Sequence, residues 1–172
     1  MKLKKSNILL VALLLSFTIV RSQDTTEGLP DDLNTTKVIF LKYEQIEGDP
    51  NIPYAQRKRN KERNALSLQA NKELKLRAYD YPFDYKISDR STYYNLVEEG
   101  YKYVLENDMM NAYNYGEVVS AGGGRIFASS MYLKDLKTGK RFELFVIKQD
   151  MVYDYDKIMK LFIKMVEKEY EL

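Results

Sequence analysis

Two groups of residues carry the types and spacing from which binding chemistry could be built. The stretch YDYPFDY holds Tyr79, Tyr81, Phe83 and Tyr85. Tyrosine buries a ring while leaving its hydroxyl wet, so such a cluster suits packing across a sheet or a partner-binding surface. The second group is the basic run Arg57, Lys58, Arg59, Lys61 and Arg63, with Glu62 interleaved. It reads as a patch for phosphate or acidic glycan, or as a solvated helix face. Cations at the start of a helix oppose its dipole, a conflict that a binding role would explain.

Other groupings are weaker. Asp150, Asp154 and Asp156 are spaced by four and two, which does not match a calcium loop. Capping of the last helix accounts for Asp154 or Asp156 better. Ala121-Gly122-Gly123-Gly124-Arg125 lacks the Lys-Ser/Thr of a phosphate loop and precedes a strand, so it reads as a loop entering a hairpin. The chain has no His and no Cys. The commonest metal ligands, nucleophile–base pairs and neutral-pH proton carriers are therefore missing. Any catalysis would rest on carboxylates, Tyr, Lys or Ser. A carboxylate pair for glycoside hydrolysis stays open, because its members need not be adjacent in sequence. No cofactor or metal is expected.

The elements that must position these residues follow from periodicity. Lys37–Tyr43 is apolar on both faces, as an interior, doubly covered strand would be. Pro53 suits the first turn of a helix over Tyr54–Leu76, whose second half alone has an apolar stripe, in Ala65, Leu66, Leu68, Ala70 and Leu74. Residues 77–87 read as extended, and Pro82 places that strand at an edge or breaks it. A short helix follows, with Tyr93, Leu96 and Val97 on one face and Gly100 ending it. Tyr101–Leu105 alternates as a strand. Arg125–Asp135 and Lys140–Lys148 form a hairpin whose turn needs Gly139, with Phe142, Leu144 and Val146 sharing a face. Ile158, Leu161, Phe162, Met165 and Val166 then mark an amphipathic helix over Asp154–Tyr170.

The expected fold is α+β: a mixed sheet of about five strands with helices mainly on one face, in the order β-α-β-α-β-β-β-α. Residues 1–22 read as a signal peptide. Lys2, Lys4 and Lys5 precede an apolar run from Ile8 to Val20, and Ser22 offers a cleavage position. Residues 23–36 read as a polar leader, and 37–172 as a single domain. Of the 27 Lys and Arg, four lie in residues 1–22, which hold none of the 25 Asp and Glu, so the remainder carries −2. That balance argues against a general polyanion binder, and nucleic acid is not an expected partner. No membrane span is expected after cleavage. An exported domain without cysteine points to a bacterial envelope.

The segments YKYVLEND and RIFASSMYLKDLKTGKRFELFVI resemble the second half of the TolB N-terminal and CsgG-type envelope domains. There, a strand of the form Y-V-L-x-G precedes one ending L-x-D-x-x-T-G-K. The matching residues are Tyr103-Val104-Leu105 and Leu133 to Lys140, with Glu106 where the family has Gly. The opening strand and helix agree in order. The likeness spans residues 37–168 by architecture and 101–148 by residues. It implies a periplasmic or envelope domain that works through protein contacts, and it assigns no site residue.

The expectation is a non-catalytic exported domain of the periplasm or cell surface with an envelope protein as partner. Tyr79, Tyr81, Phe83 and Tyr85 on an exposed strand are the candidate contact residues, with Arg57, Arg59 and Arg63. The alternative is a glycan-directed secreted domain, either a carbohydrate binder or a carboxylate-dependent hydrolase, with acidic glycan as ligand.

Overall fold

A computed structural model describes residues 24–110, 120–121, 124–125 and 128–172. The expectations for residues 1–22, Gly122 and Gly123 fall outside them. The strands are β1 (Thr25–Glu27), β2 (Lys37–Leu41), β3 (Tyr85–Ser88), β4 (Tyr101–Asn107), β5 (Ser120–Ala121), β6 (Gly124–Arg125), β7 (Ala128–Asp135) and β8 (Arg141–Lys148). The two long helices are α1 (Tyr54–Ala78) and α2 (Tyr155–Glu169). Six strands make the main sheet in the order β1-β8-β7-β4-β2-β3, and β5 pairs with β6 apart from it.

The sheet is mixed, and the fold class is α+β. β2 runs parallel to β3 and β4, while β4, β7 and β8 are antiparallel neighbours. Parallel neighbours need a crossover, and α1 supplies it between β2 and β3. β2 is an interior strand covered on both sides. Val38 and Phe40 face the helices, in one core with Leu74, Tyr103, Leu133 and Phe162. Ile39 and Leu41 face a smaller cluster with Val104, Tyr93 and Leu96. Both long helices lie on the first face. The second is covered by a 3₁₀ turn, Tyr93–Val97, where sequence suggested a short α-helix.

The sixth strand comes from the polar stretch after residue 23. Thr25–Glu27 pairs parallel with Arg141–Glu143, and all three residues are exposed. Main-chain hydrogen bonds hold this strand, so no apolar pattern announces it. Leu33, in the same stretch, is fully buried.

In β8 the pattern misleads. Tyr132 pairs with Glu143 but Met131 pairs with Phe145, so Leu144 is an extra residue. Such a bulge shifts the two-residue alternation by one. Val146 is therefore exposed and Ile147 is in the core, where alternation from Phe142 would bury Val146. The turn before β8 is as read: Gly139 has φ +76°, and the Asp135 side chain accepts from the backbone N–H groups of Lys137 and Thr138.

α2 is amphipathic with the expected period, but its buried face is turned from the expected stripe: Met159 and Ile163 are buried beside Ile158, Phe162 and Val166, whereas Leu161 is exposed and Met165 half-buried. Ile158, Phe162 and Val166 are fully buried, and Asp154 caps the helix by accepting from the Lys157 N–H at 2.9 Å.

Candidate functional site

α1 has 25 residues, about 37 Å of helix, yet only Ser67, Ala70, Leu74 and Ala78 are buried. These recur at three- and four-residue steps along one line. Leu66 and Leu68 sit roughly 100° to either side of Ser67, so both are exposed instead of joining the stripe. The helix is also held from its flank. Asn71 accepts from the Tyr43 N–H and donates to the Tyr43 carbonyl, both at 2.8 Å. Two turns earlier, Asn64 does the same for Ile46, at 2.8 and 2.9 Å. Each amide thus clasps one residue of the extended segment after β2.

This mounting leaves the opposite face of α1 in solvent. Tyr54, Leu68, Leu76 and Tyr79 are 74, 54, 73 and 84% exposed. Arg57, Lys58, Lys61, Lys72 and Lys75 stand exposed along the same side. Tyr54, Arg57, Lys58, Lys61, Glu62 and Ala65 line an open groove of about 730 Å³. The result is a long surface in which cations and large apolar groups alternate. α1 has no acid in its first turn and no side-chain cap, so its N-terminal dipole adds to this positive field.

The basic run is divided by helix geometry. Arg57 faces the groove, and its guanidinium donates to the Pro50 carbonyl at 2.9 Å. Arg59 lies to the other side and donates to Gln56 Oε1 at 2.7 Å. Arg63 is half-buried. Lys58 and Lys61 share the groove with Arg57; Arg59 and Arg63 do not line it.

The aromatic stretch is divided too. Tyr81 is buried and stacks on Phe162 with ring centroids 5.6 Å apart. Tyr85 packs on Phe40 at 5.5 Å, and Phe83 meets Tyr170 edge-on at 5.2 Å. β3 does lie at the sheet edge but begins only at Tyr85. An exposed Tyr-rich strand is therefore not what these residues form. Three rings close the core beneath the edge, because burying them gains more than leaving them wet. Tyr79 alone is exposed, and it extends the outward face of α1.

A further polar cluster has no signal in the sequence. Arg90 and Glu106 lie 3.9 Å apart on the second face of the sheet, each side chain 6% exposed. Next to them, Asp108 accepts from the Tyr132 hydroxyl at 2.8 Å and pairs with Arg141 at 3.0 Å. The Arg141 guanidinium lies 4.2 Å above the Tyr132 ring. Burial pushes the Glu106 carboxyl above its usual range, although Lys134, Arg90 and Arg141 pull it down. Carboxylates, arginines and a tyrosine are the right types for catalysis. Here they bind one another, and Glu106 and Tyr132 are shut from solvent, which suits a structural network tying the segment before the 3₁₀ turn to β4.

The aspartates near the last helix are also engaged. Asp154 is the cap, and Asp156 pairs with Arg77 of α1 and Lys160 of α2. These two cations hold the Asp156 carboxyl below its usual range. No trio of His, Cys, Asp or Glu among the described residues could hold a metal ion. Nor is any described helix long and apolar enough to cross a membrane.

Compared with known proteins, the chain matches no family model, no curated sequence and no solved structure.

Proposed function

We propose that this protein is an exported, non-catalytic docking domain of the bacterial envelope. Its partner is a protein with an acidic, partly apolar surface, and the outward face of α1 receives it. The observation that carries this reading is the alternation of exposed Tyr54, Leu68, Leu76 and Tyr79 with five exposed cations on one helix face. Large exposed apolar groups mark interaction sites, and complementary charge orients and speeds the encounter. The export reading of residues 1–22 and the likeness to TolB N-terminal and CsgG-type domains supply the setting.

Site-specific photo-crosslinking in the native cell tests this reading. A photoreactive residue at Leu68 should capture one envelope protein, whereas one at Lys164 on α2 should not. Charge reversal at Lys58, Lys61 and Lys72 should abolish the adduct. An adduct unchanged by the reversal, or none at Leu68, refutes the assignment. The exported product should begin near Gln23 by N-terminal sequencing; an unprocessed cytosolic chain removes the setting.

The groove beside Tyr54 favours a second reading, an acidic glycan held by Arg57, Lys58 and Lys61. Retention on a polyuronate matrix that the same charge reversal abolishes, without a protein adduct at Leu68, would select it.

A further inference from the structure

The second unpartnered surface is the outer edge of β8, across the sheet from β3 and separate from α1. β8 spans eight residues, but β1 pairs only with Arg141, Phe142 and Glu143. The Gly28 N–H makes a last bond to the Glu143 carbonyl at 2.8 Å. Gly28, at φ +91°, then turns the chain away. Among the described residues no strand continues along Leu144–Lys148 on that side. Proteins ordinarily blunt such an edge, since its free N–H and C=O groups template another strand.

Three observations make the edge a seat. Glu27, Gly28, Ser130, Glu143, Leu144 and Val146 are among the residues lining an open groove of about 500 Å³. Val146 stands 62% exposed beside it, put there by the bulge at Leu144. Glu27 and Glu143 are register partners in the parallel β1–β8 pair, so two carboxylates stand side by side without a cation bound to either in the described residues. Adjacent like charges on paired strands are unfavourable, and an incoming cation relieves them.

We propose that β8 accepts an extended peptide strand from another protein, continuing the line that β1 begins. The strand carries a Lys or Arg that sits between Glu27 and Glu143 and an apolar residue that covers Val146. Main-chain bonds along Leu144–Lys148 supply the binding, and the two acids and Val146 set its preference.

The probe is a blocked seven-residue peptide alternating valine with lysine; the control replaces lysine with glutamate. Binding is read by fluorescence anisotropy and by amide hydrogen exchange on the full chain. The lysine peptide should slow exchange at the amides of Leu144–Lys148 that point away from β7 by about tenfold or more and bind at least about tenfold tighter than the control. Val146→Lys, at an exposed position, should abolish binding. The double variant Glu27→Gln, Glu143→Gln should remove the preference for lysine while near-UV circular dichroism stays unchanged. Equal binding of the two peptides overturns the proposal, as does protection elsewhere in the chain. So does slow exchange, in the free protein, at those of these amides that point away from β7. A concentration-dependent dimer that Val146→Lys dissolves assigns the edge to a second copy and also overturns it.

Discussion

Replacing Arg90 by methionine tests whether the buried Arg90–Glu106 pair is structural, and how its charge is balanced. Methionine approximates the arginine stem in length and apolar character, so the main loss is the cation facing Glu106. Both side chains are 6% exposed, and removing one member of so buried a pair costs about 3–5 kcal/mol. The cost should depend on pH with a definite sign. The Glu106 carboxyl lies above its usual range, chiefly through burial. The folded state therefore binds this proton more tightly than the unfolded one. That contribution is full below the ordinary glutamate pKa, about 4.3, and is lost as pH rises through the folded value. Removing Arg90 takes away one of the cations that pull this pKa down, so the penalty above pH 4.3 grows. Urea unfolding should show Arg90→Met destabilising by about 3–5 kcal/mol at pH 7. At pH 4, where Glu106 is largely protonated, the loss should fall to about 1–2 kcal/mol of packing. The double variant Arg90→Met, Glu106→Gln should recover at least about half of the pH 7 loss, because no charge is left stranded. An equal cost at both pH values, or no recovery in the double variant, refutes the reasoning. It would mean that Arg90 acts by packing alone.

Two further outcomes test the architecture that carries the proposed surfaces. Ile147→Ala should cost about 2–5 kcal/mol in urea titrations, while Val146→Ala should change stability by less than about 0.5 kcal/mol. The reverse order would place the bulge elsewhere. Phe162→Ala should cost about 3–5 kcal/mol by the same assay, since Phe162 is fully buried between Phe40 and Tyr81. A double-mutant cycle with Tyr81→Ala should return a coupling of about 0.5–1.5 kcal/mol; no coupling would deny the stacked contact.

What could be read from the sequence was whatever one element states about itself. The 3.6-residue period of α2 and its Asp154 cap are local, and so is the Gly139 turn that joins β7 to β8. The two-sided apolar run of β2 announced an interior strand because both of its faces are covered. These features, with the alternation of strands and helices, were enough for the α+β class and for helices on one face. Part of the α1 surface was legible as the basic run, and Tyr79 as part of the aromatic stretch.

The tertiary structure decided which side of each element found a partner. Ser67 is buried while Leu66 and Leu68 are exposed, because the clasp of Asn64 and Asn71 on the segment after β2 sets how α1 is turned. Arg59 and Arg63 are parted from Lys58 and Lys61 by helix geometry alone, and the clasp decides which of the two sides meets solvent. Val146 and Ile147 exchange roles because one inserted residue reverses the alternation. Arg90 meets Glu106, and Glu27 meets Glu143, only once the sheet order brings their strands together. Periodicity describes an element along its own axis. Rotation about that axis and the choice of neighbour depend on residues far along the chain, so the β8 edge and the full extent of the α1 surface emerge only from the assembled fold.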